Sequence, residues 1–565
     1  MKKLINEPHH VVKETLEGIV DSSDHLALVE GENIIVVRNL PDLPERPVAI
    51  LSGGGSGHEP AHAGYVGTGM LTAAIAGDVF TSPSVDAVLT GILTTAGPAG
   101  ALLIVKNYTG DRLNFGLAAE LAREQGIPVE IVVVADDVSL RGIVPSERRR
   151  GIAGTVFVHK IAGAAAAKGW PLDKVAGIAT RAASAVHSMG VGLGACTLPT
   201  AGKPSFELGD TEVEYGLGIH GEKGVRRVPL KPADSIVDDV LEQILAELAP
   251  NTKEVAVLIN GLGSTPPAEL SIVARHALAK LRESGVIPVR AWVGNYMTAL
   301  EMPGFSLSVL ALDDERLELL DAPSHTSAWL GTGHIAHRKT VSAVSLAPIT
   351  LTTTQAGPLA ETLQRVASDV AHALLAAEPE LTDLDAKAGD GDLGASLSRG
   401  AQAMLDLPKE AYHMPSVFLA SLAQSVRRAI AGSSGPFYAV GLLRASRELT
   451  GISTPTPEQW QHAFAAGVAA VMAMGGAKPG DRTMVDALCA AAETWDTALT
   501  THTDARHAFS LAVTAATTAA QRTATMPPRL GRASYLGERA AGIPDGGAVA
   551  VSLWLAAIKN SVQEG

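Results

Sequence analysis

Two cysteines, Cys196 and Cys489, are all that the 565 residues contain, and each sits in an apolar segment. That scarcity excludes a disulfide framework and a thiolate zinc site, and it fits a reducing cytoplasm. Charge is also scarce: 18% of residues are Asp, Glu, Lys or Arg against 46% hydrophobic, which excludes long disordered stretches and leaves ample material for buried cores. Basic clusters are missing as well. The net charge is −14 and Lys and Arg are scattered, so no nucleic-acid footprint is expected. The short run Arg148-Arg149-Arg150 reads as a solvated helix start. An uninterrupted apolar span is lacking too: the uncharged stretch Ala87–Val105 is broken by threonines, glycines and Pro98, and no apolar signal core follows Met-Lys-Lys-Leu-Ile. The expectation is a soluble protein with no membrane partner.

What is present divides the chain. Its length suggests two to four domains. Residues 1–335 alternate β-branched runs (Val48–Leu51, Ala101–Lys106, Glu130–Val134, Val255–Ile259) with helical stretches such as Asn114–Glu124 and Ala233–Leu248, the pattern of an α/β fold. A break near Gly190 predicts two lobes, about 1–190 and 191–335. Residues 336–357, with Thr-Leu-Thr-Thr-Thr between prolines, read as a linker. From 358 to 565 strand signals nearly vanish. Eight alanine-rich stretches of helical period, 359–376, 393–406, 415–430, 435–448, 457–474, 482–498, 503–522 and 546–559, predict an all-α domain.

Three motifs in the first part carry chemistry. Val48–Leu51 leads into Ser52-Gly53-Gly54-Gly55-Ser56-Gly57-His58-Glu59-Pro60, where glycines let backbone N–H groups approach an oxygen-rich ligand. As a dinucleotide fingerprint it fails, because His58 replaces the third glycine, and no lysine completes a P-loop. A plain tight turn remains the alternative. The strand Ala101–Val105 ends in Lys106-Asn107-Tyr108-Thr109-Gly110-Asp111. Strand ends line the ligand crevice of an open α/β sheet, so Lys106 and Asp111 are expected beside His58; a helix cap is the other reading of Asp111. The third motif is Gly216-Leu217-Gly218-Ile219-His220-Gly221-Glu222. Its glycine-flanked imidazole is open to a small molecule and is a nucleophile when neutral, or it is simply a polar contact.

The helical part has one acidic motif, Asp385-Ala-Lys-Ala-Gly389-Asp390-Gly391-Asp392-Leu393-Gly394. Three carboxylates within eight residues can converge on hard cations. An EF-hand is excluded by Lys387 at the third position from Asp385 and Ala401 at the twelfth from Asp390. A solvated acidic turn is the alternative. A helix starting at Leu393 would turn free N–H groups toward phosphate oxygens. Further glycine-bearing junctions recur at Ala431–Gly435, Gly475-Gly476, Gly480–Met484, Gly531–Tyr535 and Pro544–Gly547. Each can be simple capping. Together they suggest one rim of a barrel-like bundle.

These motifs, in this order and spacing, together with Gly-Ala-Cys-Thr-Leu-Pro at 194–199, resemble the single-chain dihydroxyacetone kinases. The resemblance implies a two-lobed α/β ketose-binding domain followed by an all-α helical-barrel ATP-binding domain. It implies that His220 forms a hemiaminal with the ketose carbonyl carbon and that His58 and Asp111 act on the hydroxyl to be phosphorylated. Gly55, Ser56, Gly57 and Lys106 match positions that hold substrate oxygens. Asp385, Asp390 and Asp392 match the holders of two Mg2+ ions, and Leu393, Gly394, Ala395, Ser396, Ser434, Gly435, Gly476, Met484, Arg532, Asp545, Gly546 and Gly547 match ATP contacts. A homodimer pairing domains across chains is implied too. Departures from the pattern are Lys223, Ala395, Ser396 and Pro436. Rival readings keep the scaffold: an erythrulose or other ketotetrose as acceptor, a phosphoenolpyruvate-dependent carrier as donor, a flavin-nucleotide lyase side reaction, or a regulatory protein that binds without turnover.

Overall fold

A computed structural model describes residues 2–344, 355–530, 534 and 541–563. It forms two compact units, Met1–Thr340 and Val341–Gly565. Residues 345–354, which contain the Thr-Leu-Thr-Thr-Thr run of the expected linker, lie outside the described residues.

The first unit holds two six-stranded sheets. β1 (Leu26–Leu28), β2 (Ile34–Val37), β3 (Ala49–Ser56), β4 (Ala73–Val79), β5 (Ala101–Lys106) and β6 (Val129–Val134) run in the order β1-β2-β4-β3-β5-β6. The four strands from β4 to β6 are parallel, and β1 and β2 close the edge antiparallel. The second sheet joins β7 (Val186–Gly192), β8 (Glu212–Tyr215), β9 (Arg226–Pro229), β10 (Glu254–Gly261), β11 (Ile287–Gly294) and β12 (Gly304–Ala311) in the order β11-β10-β12-β7-β8-β9. Only its β10–β11 pair is parallel. The helices are α1 (Val11–Asp21), α2 (Val85–Thr95), α3 (Thr109–Glu124), α4 (Thr155–Ala167), α5 (Leu172–Ala185), α6 (Ala233–Leu245), α7 (Pro267–Glu283) and α8 (Asp314–Asp321).

Two sequence expectations shift here. Helix α5 runs without a break into β7, so Gly190 lies inside a strand and the second sheet begins at Val186. The glycine run is not a turn after Leu51: β3 continues, fully buried, to Ser56. A Cβ on Gly53 would collide with the Ile75 carbonyl of neighbouring β4, so close strand packing accounts for that glycine. Helix α4, buried from Thr155 to Ala166, joins one core with Leu102 and Ile104 of the first sheet and Ala256 and Leu258 of the second. Each such large apolar side chain contributes roughly 1.5–3 kcal/mol on burial, which fixes the two lobes against each other.

The second unit is helical, with α9 (Ala360–Ala376), α10 (Glu378–Ala388), α11 (Leu393–Leu405), α12 (Pro415–Ala429), α13 (Ser434–Glu448), α14 (Pro457–Gly475), α15 (Met484–Thr500), α16 (Ala505–Arg522) and α17 (Gly546–Gln563). Eight of them pack in a closed ring, α9-α11-α12-α13-α14-α15-α16-α17 and back to α9, the barrel expected from the eight alanine-rich stretches. Helix α10 is additional and packs on α11 and α17. Its Pro379 stands in the first turn, where a missing N–H costs nothing, and Glu378 and Glu380 suit the positive end of the helix. The ring surrounds an apolar cavity of about 550 Å3 lined by residues including Leu363, Val370, Phe418, Phe437 and Phe464. Among the described residues no helix is long and apolar enough to cross a membrane.

Candidate active site

In the first unit, β3 and β5 are parallel neighbours paired through Ser52 and Ile104, and their carboxyl ends deliver Ser56 to His58 and Lys106 to one place. Gly54 separates the two charged groups found there. It adopts φ +134°, and a Cβ on it would stand 2.7 Å from Lys106 Nζ and 3.1 Å from Asp111 Oδ2. The space above Gly54 is thus bordered by an ammonium and a carboxylate, and only glycine leaves it open. Asp111 lies in the first turn of α3 and is 4% exposed, yet Tyr108 at the N-cap makes no side-chain cap bond. Lys106 is fully buried, and burial lowers its pKa while Asp111 opposes the shift. Gly55 packs against the Phe80–Thr81 backbone, and Ser56 Oγ donates to Gly77 O at 2.8 Å.

His58 is fully buried, and its tautomer can be read from its partners. Nδ1 lies 2.8 Å from the carbonyl of Thr298 in the β11–β12 loop. A carbonyl only accepts, so Nδ1 carries the hydrogen and Nε2 keeps its lone pair. Nε2 is buried with no partner. The same loop clamps the glycine turn, since Thr298 N donates to His58 O (3.1 Å) and Leu300 N to Gly57 O (2.7 Å). Burial first, then His220 and Lys106, push the His58 pKa well below the usual imidazole value.

His220 arrives on the β8–β9 loop, its ring 4.9 Å from that of His58, 4.3 Å from that of Tyr108 and 5.4 Å from that of Phe80. Burial, Lys106 and Arg150 push its pKa down to about 3, so the ring is neutral with an available lone pair. Its backbone N–H donates to Glu222 Oε2 (2.8 Å). Arg150 ties down this loop, donating to Gly216 O (2.7 Å), Asp137 (2.8 Å) and, at 3.4 Å, Glu222. Of the arginine run, only Arg148 is exposed, in a short helical turn Ser146–Arg148, so the solvated reading fails for Arg149 and Arg150. Arg149 is 8% exposed and paired with Glu247, and Arg150 anchors the loop that carries His220. Lys223, the departure beside His-Gly-Glu, is exposed.

In the second unit, Asp385, Asp390 and Asp392 each offer an oxygen within 4.8 Å of the others. Asp385 stands in the last turn of α10 rather than in a loop, and its Oδ2 accepts from the backbone N–H groups of Asp392 (2.9 Å) and Leu393 (3.1 Å). Nearby Asp545 is half-buried; loss of solvation pushes its pKa up to about 6, and Asp486 and Asp385 push the same way. Carboxylates crowded to this degree fit divalent cations, and all-oxygen donors suit magnesium.

Alternation around the ring brings the N-termini of α11, α13, α15 and α17 to one end. Gly546 lies against Leu393, and Gly547 against Asp545 and Met484. Ser434 and Gly435 open α13, Gly476 caps α14 with φ +70°, Ala395 is half-buried, and Ser396 Oγ accepts from Arg399 (3.0 Å). Gly394 and Gly435 have packing reasons of their own, against Glu378 and Thr382 and against the Ile430 carbonyl. Arg532 lies outside the described residues. Sequence reasoning passed over Arg482, 1% exposed, which donates to Thr523 O (3.1 Å) and Ile543 O (2.8 Å) and lowers Asp545; its place in Gly480–Met484 was the available signal. Thr298 and Phe80 carried no local signal.

Comparison with known proteins identifies both parts of the chain. The Dak1 domain matches residues 17–328 and the DAK2 domain residues 387–560. The chain is 42% identical to a putative 3,4-dihydroxy-2-butanone kinase of Solanum lycopersicum over 100% of this chain and 98% of that protein. It is 41% identical to the triokinase/FMN cyclase of Homo sapiens over 100% and 99%. The crystal structure of the dihydroxyacetone kinase from C. freundii in complex with AMP-PNP and Mg2+ is similar at TM-score 0.66 and 35% identity, covering 99% of both chains. With a Dak1 and a DAK2 domain fused in one polypeptide, this chain belongs to the dihydroxyacetone kinase family.

Proposed function

We propose that the protein transfers the γ-phosphate of ATP to a hydroxyl of dihydroxyacetone or a similarly short ketose held on His220. The observation that carries this reading is the buried Nε2 lone pair of His58, without a partner, on a ring whose centre is 4.9 Å from that of the neutral His220 ring. Two unprotonated imidazoles beside Lys106 and Asp111 suit a ligand with both a carbonyl and a hydroxyl.

A lone pair of His220 attacks the carbonyl carbon and the C–N bond forms. The carbonyl π pair moves to oxygen, which gains a proton as the imidazole sheds one, so N–H adds across C=O. Such a bond selects ketones over glycerol and fixes a ligand with few atoms for ordinary contacts. Lys106 and the Gly55–Gly57 backbone hold the sugar oxygens. As the hydroxyl oxygen attacks phosphorus, its proton passes to His58 Nε2 or Asp111, and the bond to the ADP leaving oxygen breaks. Asp385, Asp390 and Asp392 hold two magnesium ions, whose chemistry is to neutralise phosphate oxygens. Leu393–Ser396, Ser434, Gly435, Gly476, Met484 and Asp545–Gly547 border the nucleotide, with four helix N-termini offering N–H groups to its anion. Ketose and nucleotide residues sit on different units, and we place their meeting in a cytoplasmic homodimer, across chains.

An ADP-release assay across dihydroxyacetone, glyceraldehyde, both erythruloses and glycerol tests the reading. Turnover with a ketose and not with glycerol is expected; no ADP release with any short ketose overturns it. Mixing inactive His220→Ala and Asp390→Asn chains should restore part of the activity if sites pair across chains.

A further inference from the structure

Lys106 is held by more than the ligand pocket. Its Nζ donates to Gly53 O at 3.1 Å and lies 2.7 Å from Nε2 of His62, a residue the proposed chemistry does not use. An ammonium has hydrogens to give and no lone pair, so His62 Nε2 must be unprotonated and its hydrogen must sit on Nδ1. Nδ1 lies 2.9 Å from Nε2 of His159, which must then accept and carry its own hydrogen on Nδ1. Ser52 Oγ, 3.4 Å from His62 Nδ1, spends its hydrogen on Ile104 O at 2.7 Å and cannot donate to the ring. One cation thus dictates the tautomers of two imidazoles in sequence. All three side chains are enclosed, with Lys106 and His159 at 0% exposure and His62 at 6%.

The row does not conduct protons to solvent. It ends on His159 Nδ1, which is buried with no hydrogen-bond partner, and burial together with Lys106 keeps both rings neutral. What it does is fix direction. Of three ammonium hydrogens, Gly53 O takes one and His62 another, which leaves one for the space over Gly54 that Asp111 borders.

We propose that His62, with its Nδ1 hydrogen anchored on His159, is a positioning residue that aims the remaining N–H of Lys106 at an oxygen of the bound ketose. The proposal rests on the ketose reading of the pocket. Without an acceptor at this place, Lys106 turns toward the Asp111 carboxylate and the ligand loses an oriented, charge-assisted donor.

The test pairs variants that differ only in the acceptor. His62→Leu is expected to raise the ketose KM about tenfold or more, the loss of one charge-assisted hydrogen bond, while the ATP KM stays unchanged. His62→Gln, whose Oε1 can take the place of Nε2, should recover most of that loss. His159→Gln keeps an acceptor for His62 and should be milder than His159→Phe. Imidazole 15N spectra of the intact, selectively labelled protein supply a readout that needs no turnover. They should show His62 bare at Nε2 and protonated at Nδ1 both in the wild type and in His159→Phe, where Lys106 still needs the acceptor, and mixed tautomers only in Lys106→Met. A hydrogen on His62 Nε2 in the wild type, or a His62→Leu enzyme with the wild-type ketose KM, overturns the proposal. Absence of ketose turnover with the expected spectrum would instead count against the ketose reading alone.

Discussion

The two units build their sites from opposite materials. In the α/β unit the chemistry-bearing groups are enclosed and interlocked: Lys106, His58 and Asp111 are each under 5% exposed, and their tautomers and directions are fixed by neighbours. In the helical unit Asp390 and Asp392 are exposed, and the site consists of helix ends and crowded carboxylates. The first arrangement is complete for a small neutral ligand before it arrives. The second carries charge that only a cation and an anion together can balance. On the proposed assignment of the two sites, ketose capture would be a property of side-chain packing and nucleotide capture a property of ions.

The largest expected effect breaks that comparison most directly. Replacing Asp390 and Asp392 by Asn, or withdrawing magnesium with a chelator, should lower kcat on the order of a thousandfold or more, because charge neutralisation is the main catalytic term in phosphoryl transfer. Ketose binding, followed by the loss of the carbonyl 13C signal of labelled dihydroxyacetone, should persist in both cases. If the adduct disappears with the metal, the two sites are not separable as described. Next in size is His58→Ala. Losing a base whose Nε2 lone pair is already presented should cost kcat about a hundredfold with adduct formation retained.

How much of this was legible depended on how far apart in sequence the cooperating groups lie. His58, Lys106, Asp111 and His220 each stand in a short motif that singled them out as candidates, with their roles implied by the family resemblance, and the eight ring helices followed from alanine-rich period. The orienting partners did not. Thr298 fixes the His58 tautomer from 240 residues away, and His159 meets His62 from 97 residues away inside a helix that reads as plain apolar sequence. Helix α10 was hidden because Glu378-Pro379 and its many acids resemble a loop until the first turn is recognised as the place where proline and negative charge belong. Arg150 was misread for a similar reason: Asp137, Gly216 and Glu222, which take it out of solvent, are brought there only by the fold.

Acid should separate the units in a way that follows from burial. His159 and His220 are pushed down to about 3, and His58 and His62 well below their usual value, chiefly by burial. Unfolded, each would protonate near pH 6.5. Their contribution to stability is therefore complete above about pH 6.5 and is lost as pH falls from there toward 3, because the unfolded chain takes up protons the folded one refuses. Among the described residues the helical unit has no buried histidine. Hydrogen-exchange protection in β3 and α4 should drop about tenfold per pH unit for each titrating histidine, while α12 and α13 change less. Equal losses in both units would contradict this account.

The smallest effect sharpens what the glycines of the helical rim are for. Gly394 and Gly476 occupy equivalent places in the motif-based reading, each a nucleotide contact, yet the packing around them differs. A Cβ at Gly394 would run into Thr382 Oγ1 and the Glu378 carbonyl, so Gly394→Ala should push α10 from α11 and destabilise the unit by about 1–3 kcal/mol, whatever the nucleotide does. At Gly476 a Cβ would meet nothing within 4 Å, and only the left-handed backbone at φ +70° resists it. Gly476→Ala should cost about 1 kcal/mol of stability, the ordinary penalty for placing a side chain at a helix C-cap. If the nucleotide passes over this turn, the added methyl will raise the ATP KM several-fold at temperatures where the variant is fully folded, leaving the ketose KM untouched. An unchanged ATP KM would make Gly476 a helix terminator and remove it from the nucleotide site.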